Sequence, residues 1–227
     1  MAALKPRHGD ALDGGSRRLA AAIAERPWAE DAYLAGSAAL ALYLDHRPVR
    51  DLDLMSAANR LTGPERRDLL VDLLELDPGF AMETARDGFF YARRANGVAL
   101  RIFHYPYPLV APLERFSGLG VASPVDLGLM KLAAIISRGT KRDFVDLRLL
   151  AEHLPLDDML AAAPDKFGHV RDFPLQALKG LADLSLTRGE PMPRLGRTLE
   201  WETVEAWIAG EVRRLGRRRA GLEPGSA

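Results

Sequence analysis

Hydrophobic and polar positions change rhythm near the middle of the chain. In the first half, helical and strand periods alternate. Ser16 to Arg26 carries apolar residues at helical spacing and stops before Pro27. Asp31 to Ala35 predicts a short strand running into Gly36-Ser37. Ser37 then reads as the N-cap of an Ala/Leu-rich helix to about Asp45. After Pro48, Arg50 to Met55 alternates polar and apolar with the period of two that a strand requires. Pro64 followed by ERRDLLVDLLEL predicts a helix to Leu76, closed by the turn Asp77-Pro78-Gly79. Phe80 to Arg86, Phe89 to Arg94 and Val98 to His104 predict three strands, the last two joined through Ala95-Asn96-Gly97. HYPYPLVAPLE reads as an extended, proline-rich exit.

From Ser123 onward the strand period disappears. SPVDLGLMKLAAIISR, TKRDFVDLRLLAEHL, LDDMLAAA, PLQALKGLADLSL and TVEAWIAGEVRRL all have helical spacing. The expected fold class is α+β: a mixed sheet with flanking helices, followed by an all-helical C-terminal half. The expected organisation is a flexible leader over 1–15, a core over 16–112, a helical domain over 113–216 and a disordered tail over 217–227.

Composition narrows the chemistry. At 227 residues, 48% apolar and 27% charged, the chain can bury a core in one large or two small domains. It has no cysteine, which excludes a disulfide framework, a thiolate zinc site and a cysteine nucleophile. No apolar run approaches a membrane span, and the N-terminus lacks the apolar stretch of a signal peptide, so a cytoplasmic protein is expected. Net charge is zero, against a general polyanion binder. Arg213, Arg214, Arg217, Arg218 and Arg219 still cluster, either to favour RNA phosphates or to solvate a helix end.

Two segments carry candidate chemistry. In GSAALALYLDHRPVRDLDL, a Gly36-Ser37 turn opens a helix whose N–H groups can approach a phosphate. Asp51 and Asp53 follow, on one face of a strand, where they repel unless Mg²⁺ is bound, the strand is an exposed edge, or Arg47 and Arg50 pair with them. In KLAAIISRGTKRDFVD, Lys131 projects from an apolar helical stripe, with Arg138 on the same face and Arg142-Asp143 beyond. These cations either hold phosphates or cap the core edge against carboxylates. Thr140 and Asp143 also form a candidate capping box, and Arg142 with Asp146 a surface ion pair.

The ordered pair of segments resembles the AbiEii/AbiGii-type toxin family of nucleotidyltransferases, within the polymerase-β-like superfamily. Gly36, Ser37, Asp51 and Asp53 match the first family motif. Lys131, Arg138, Arg142 and Asp143 match Lys-x6-Arg-x3-Arg-Asp without a gap. The resemblance runs from about Tyr33 to Leu150. It implies a nucleotidyltransferase-like core and a transferase that uses an NTP, with Mg²⁺ held by Asp51 and Asp53. Asp51, Asp53, Lys131 and Asp143 would form the catalytic set; Gly36, Ser37, Lys131, Arg138 and Arg142 would bind the nucleotide and its phosphates, and Asp143 would orient Arg142 or cap its helix. It further implies an RNA acceptor, tRNA above all, and a toxin-like role with a cognate antitoxin protein. A protein acceptor, or a catalytically silent nucleotide- or partner-binding protein, are the alternatives. One departure stands out: Arg101 occupies the place where the wider superfamily often has a third acid. Glu83, on a neighbouring strand, is the nearest substitute for the base.

Overall fold

The computed structural model describes residues 4–222. The first three residues of the expected leader and the part of the expected tail beyond Leu222 lie outside the described residues. The chain divides into two compact units between Leu127 and Gly128, later than the boundary expected at 112.

The first unit is built on a mixed seven-stranded sheet. Its helices are α1 (Gly14–Ala24), α2 (Gly36–Leu44) and α3 (Gly63–Leu76), and α4 (Pro124–Ser137) begins at its end. Its strands are β1 (Ala32–Ala35), β2 (Leu52–Ser56), β3 (Phe80–Arg86), β4 (Phe89–Arg94), β5 (Ala99–His104), β6 (Glu114–Phe116) and β7 (Leu119–Val121). They lie in the order β3-β4-β5-β2-β1-β7-β6. β2 is central. It runs antiparallel to β1 and parallel to β5, and its burial alternates as its sequence does: Leu52, Leu54 and Ser56 are buried, Asp53 and Met55 half-buried. β1 is buried at all four positions, in keeping with its apolar sequence Ala-Tyr-Leu-Ala.

Local chemistry accounts for the boundaries. Thr62 and Glu65 close a reciprocal capping box at the start of α3. The β4–β5 hairpin turns on Gly97, whose φ of 90° is open to glycine. β6 and β7 follow the proline-rich exit, which ends at Glu114, in a stretch where no element was expected. They are joined by Ser117-Gly118, both at positive φ, the geometry whose twist matches a two-residue hairpin. The expected leader is tied down where it is described. His8 donates its backbone N–H to Leu42, Leu12 bridges Val49, and Leu12 is buried. At the opposite margin, β3 carries an irregularity between Met82 and Thr84 where its ladder with β4 slips register.

The second unit is helical, with α5 (Lys141–Leu150), α6 (Leu156–Ala161), α7 (Ala163–Phe167), α8 (Phe173–Ala182) and α9 (Trp201–Arg219). Phe144, Leu149, Phe167, Leu181, Val204 and Ile208 are buried there. α9 continues to Arg219, into the stretch expected as tail. Its arginines are largely engaged with acids: Arg214 and Arg218 both reach Asp157, and Arg219 reaches Asp172 at 2.5 Å. No described helix is long and apolar enough to cross a membrane.

Candidate active site

β1, α2 and β2 bring Gly36 and Asp53 together. Antiparallel pairing sets Ala35 opposite Asp53, so the turn after β1 lies over the start of β2. α2 begins two residues earlier than its sequence predicts. Ala35 is the N-cap and offers no side-chain acceptor, while Gly36 takes φ 61°. Ser37 is therefore not the cap; it lies inside the first turn, and its hydroxyl accepts a bond from Arg47. A Cβ at Gly36 would sit 2.7 Å from Asp53 Oδ2, so glycine is needed both for the backbone and for the approach of the carboxylate.

Asp51 lies just before β2 and Asp53 within it. The parallel register of β2 with β5 places Arg101 beside Asp53. The guanidinium forks across both acids, donating from Nη1 to Asp53 Oδ1 at 2.8 Å and from Nη2 to Asp51 Oδ2 at 2.7 Å. It also lies over the Tyr91 ring, 5.5 Å from the centroid. The repulsion between the carboxylates is thus answered by a side chain of the same sheet. This does not fit the Mg²⁺ expected there. The two acids converge on one cationic position, and that position belongs to Arg101. Glu83 does not supply the missing acid: it is exposed on edge strand β3, separated from β5 by β4, and pairs with Arg93.

The second constellation forms within the helical unit. Lys131 is buried, as its apolar stripe predicts, and its ammonium lies 2.7 Å from Asp146 Oδ2 and 3.2 Å from Asp143 Oδ1. Asp143 also takes two bonds from Arg138, both at 2.9 Å, and one from the Thr140 hydroxyl. The arginine that Asp143 holds is therefore Arg138, not Arg142. Asp146 is a buried partner of Lys131 rather than a surface partner of Arg142, and Thr140 is the N-cap of α5 without the expected capping box, its hydroxyl donating to the Asp143 carboxylate instead. Arg138 and Arg142 are exposed and line a cavity of about 400 Å³ with Thr140, Glu190, Pro191 and Met192.

Burial alone would push the Asp143 carboxyl up; Arg138, Lys131 and Thr140 more than offset it and hold it at about 2. Its ordinary value is 3.8, so its ionisation stabilises the folded chain above about pH 4, and that contribution is lost as pH falls towards 2. The contribution is about 2 kcal/mol. Urea melts at pH 5 and pH 2.5 should show a smaller pH difference in Asp143→Asn than in the parent. Equal differences would overturn the assignment.

A cavity of about 520 Å³ also opens in the first unit, lined by Trp28, Ser56, Asp68, Leu69, Asp72 and Ile102. Ser56 and Ile102 alternate with Asp53 and Arg101 along their strands, so it lies on the reverse face of the sheet. Its acids suit it poorly to a triphosphate.

No family model matches the sequence. The uncharacterized protein aq_aa25 of Aquifex aeolicus (strain VF5) is 30% identical over 122 residues, 53% of this chain and 57% of that protein. The chain therefore spans a little over half the length of that relative. Two crystal structures from Helicobacter pylori share the fold. One, described as a candidate nucleotidyltransferase, is 17% identical with a TM-score of 0.52, covering 92% of this chain and 94% of that one. The other, JHP933, is 18% identical with a TM-score of 0.51, covering 92% and 95%. At such identities the likeness establishes a nucleotidyltransferase-like fold.

Proposed function

We propose that this chain is a nucleotidyltransferase that passes a nucleotide from an NTP to an acceptor hydroxyl, with RNA, and tRNA in particular, as the acceptor class. The observation that carries the reading is the junction of Gly36 and Asp53. A strand ends in a glycine at positive φ, a helix N-terminus without a side-chain cap follows, and a carboxylate pair stands against the turn. Uncapped N–H groups at a helix start attract phosphate oxygens. Gly36 and Ser37 are the residues assigned to the triphosphate, and Asp51 and Asp53 those assigned to the reacting end.

In the proposed reaction an acceptor oxygen bonds to the α-phosphorus, the bond to the bridging oxygen breaks and pyrophosphate leaves. The acceptor proton passes to solvent or a base. Mg²⁺ remains the expected companion of the nucleotide, but Asp51 and Asp53 are open to it only where Arg101 moves off. In the second unit, exposed Arg138 and Arg142 are the residues assigned to phosphate contacts. Lys131 and Asp143, expected to take part in catalysis, are assigned a supporting role, since each is buried in the ion cluster that holds Arg138. A toxin-like role with a cognate antitoxin belongs to the same proposal and rests on the motif resemblance alone.

The Arg101 fork favours one second reading, a nucleotide-binding protein that does not turn over. Incubating the protein with each labelled NTP, Mg²⁺ and total tRNA separates the two. The expected result is label that RNase removes and protease does not, reduced about 100-fold or more in Asp53→Ala. Binding by calorimetry without label on RNA or protein supports the silent reading. Neither binding nor label would overturn both.

A further inference from the structure

We propose that Arg101 is the resident cation of the carboxylate pair, and that it, rather than the number of acids, sets the affinity of this chain for a free divalent ion. The inference rests on the geometry of the first unit and stands whether or not nucleotide transfer occurs.

Three observations carry it. Both terminal guanidinium nitrogens are used, one on each acid, at 2.7 and 2.8 Å, so the fork fills the space into which the two carboxylates converge. A magnesium ion needs oxygens at roughly 2.0–2.1 Å around its own centre, which cannot be met while those nitrogens stand there. Second, Arg101 is tethered in place. It is fixed by parallel pairing with Asp53 and antiparallel pairing with Tyr91, and its charged plane rests on the Tyr91 ring. A tethered cation competes at a high effective concentration, which a free ion must exceed. Third, a guanidinium cannot deprotonate to leave the site, so neutral pH offers no release. Without Arg101, Asp51 and Asp53 become two neighbouring like charges in a half-buried position, which is the condition under which a carboxylate pair seeks another cation.

The test uses Mn²⁺ alone, with no nucleotide. Free Mn²⁺ is titrated by its paramagnetic resonance signal against the parent, Arg101→Ala and Arg101→Met. The methionine variant keeps an unbranched stem against Tyr91 and guards against a folding defect in the alanine variant. The expected result is weak binding by the parent and a gain of about tenfold or more in both variants, since a fixed positive charge has been removed from the pair. The gain should vanish when Asp53→Asn is added to either variant. Binding by the parent as tight as by the variants would overturn the proposal. So would a gain that survives Asp53→Asn, because the ion would then lie elsewhere. Loss of transfer in every variant, with the Mn²⁺ pattern intact, would count against the proposed activity and not against this inference.

Discussion

Lys131→Met is expected to destabilise the helical unit by about 3–5 kcal/mol, the range seen when one partner of a buried ion cluster is removed. The Lys131 side chain is 7% exposed, and its ammonium pairs with both Asp143 and Asp146, whose side chains are fully buried. Methionine fills much of the same volume but leaves two carboxylates facing each other from adjacent turns of α5, without the cation between them. Trp201 reports the event, since its ring meets Phe144 edge-on and lies under Lys141. Urea unfolding followed by tryptophan fluorescence should show the loss. Adding Asp146→Asn should recover part of it, because less negative charge is then left where the cation stood, while Asp143 keeps its bonds from Arg138 and Thr140. A loss below about 1 kcal/mol in Lys131→Met would show that the ammonium is solvated rather than sequestered.

Gly36→Ala is expected to cost the first unit about 2–3 kcal/mol, from a left-handed backbone at a residue with a Cβ and from the contact that atom makes. The new carbon would fall 2.7 Å from Asp53 Oδ2, a distance that no relaxation of the fixed helix start can absorb alone. Asp53 must then move, and with it one arm of the Arg101 fork. The same variant should therefore weaken any activity that depends on Asp53, although the substituted residue carries no functional group. Thermal melts checked beside the transfer assay test both halves. Parent-like stability together with parent-like transfer would remove Gly36 from the site.

Much of this was readable locally. The strands Phe80–Arg86 and Phe89–Arg94 emerge with the bounds their alternation predicts, and α3 ends at Leu76 before its turn. Lys131 in an apolar stripe announced a buried stem and an ammonium aimed at a specific partner. What escaped was set by partners far along the chain. β6 and β7 are three residues each, too short to show a period, and lie between Pro112 and Pro124 in a stretch without a pattern of its own. Arg142 and Asp146 have ideal spacing for a surface pair, but Asp146 faces inward to Lys131, fifteen positions earlier in the sequence. Arg101 was visible as an arginine where an acid was expected. Its grip on Asp51 and Asp53 required β5 to lie beside β2, a pairing that no local pattern encodes. Ser37 misled for a different reason: a helix that starts on a left-handed glycine has no use for the serine after it as a cap.

The irregularity between Met82 and Thr84 bears on how copies of the chain meet one another. A free edge strand presents unpaired N–H and C=O groups to any passing strand, and a long, flat, apolar edge invites runaway addition. β3 is such an edge, seven residues long, with Met82 half exposed to solvent. A slip of this kind breaks the regular ladder that a passing strand would need, and Glu83 and Arg86 set charges along the edge. β6, at the other margin, is too short to template anything. Both borders of the seven-stranded sheet are therefore poor templates for an added strand.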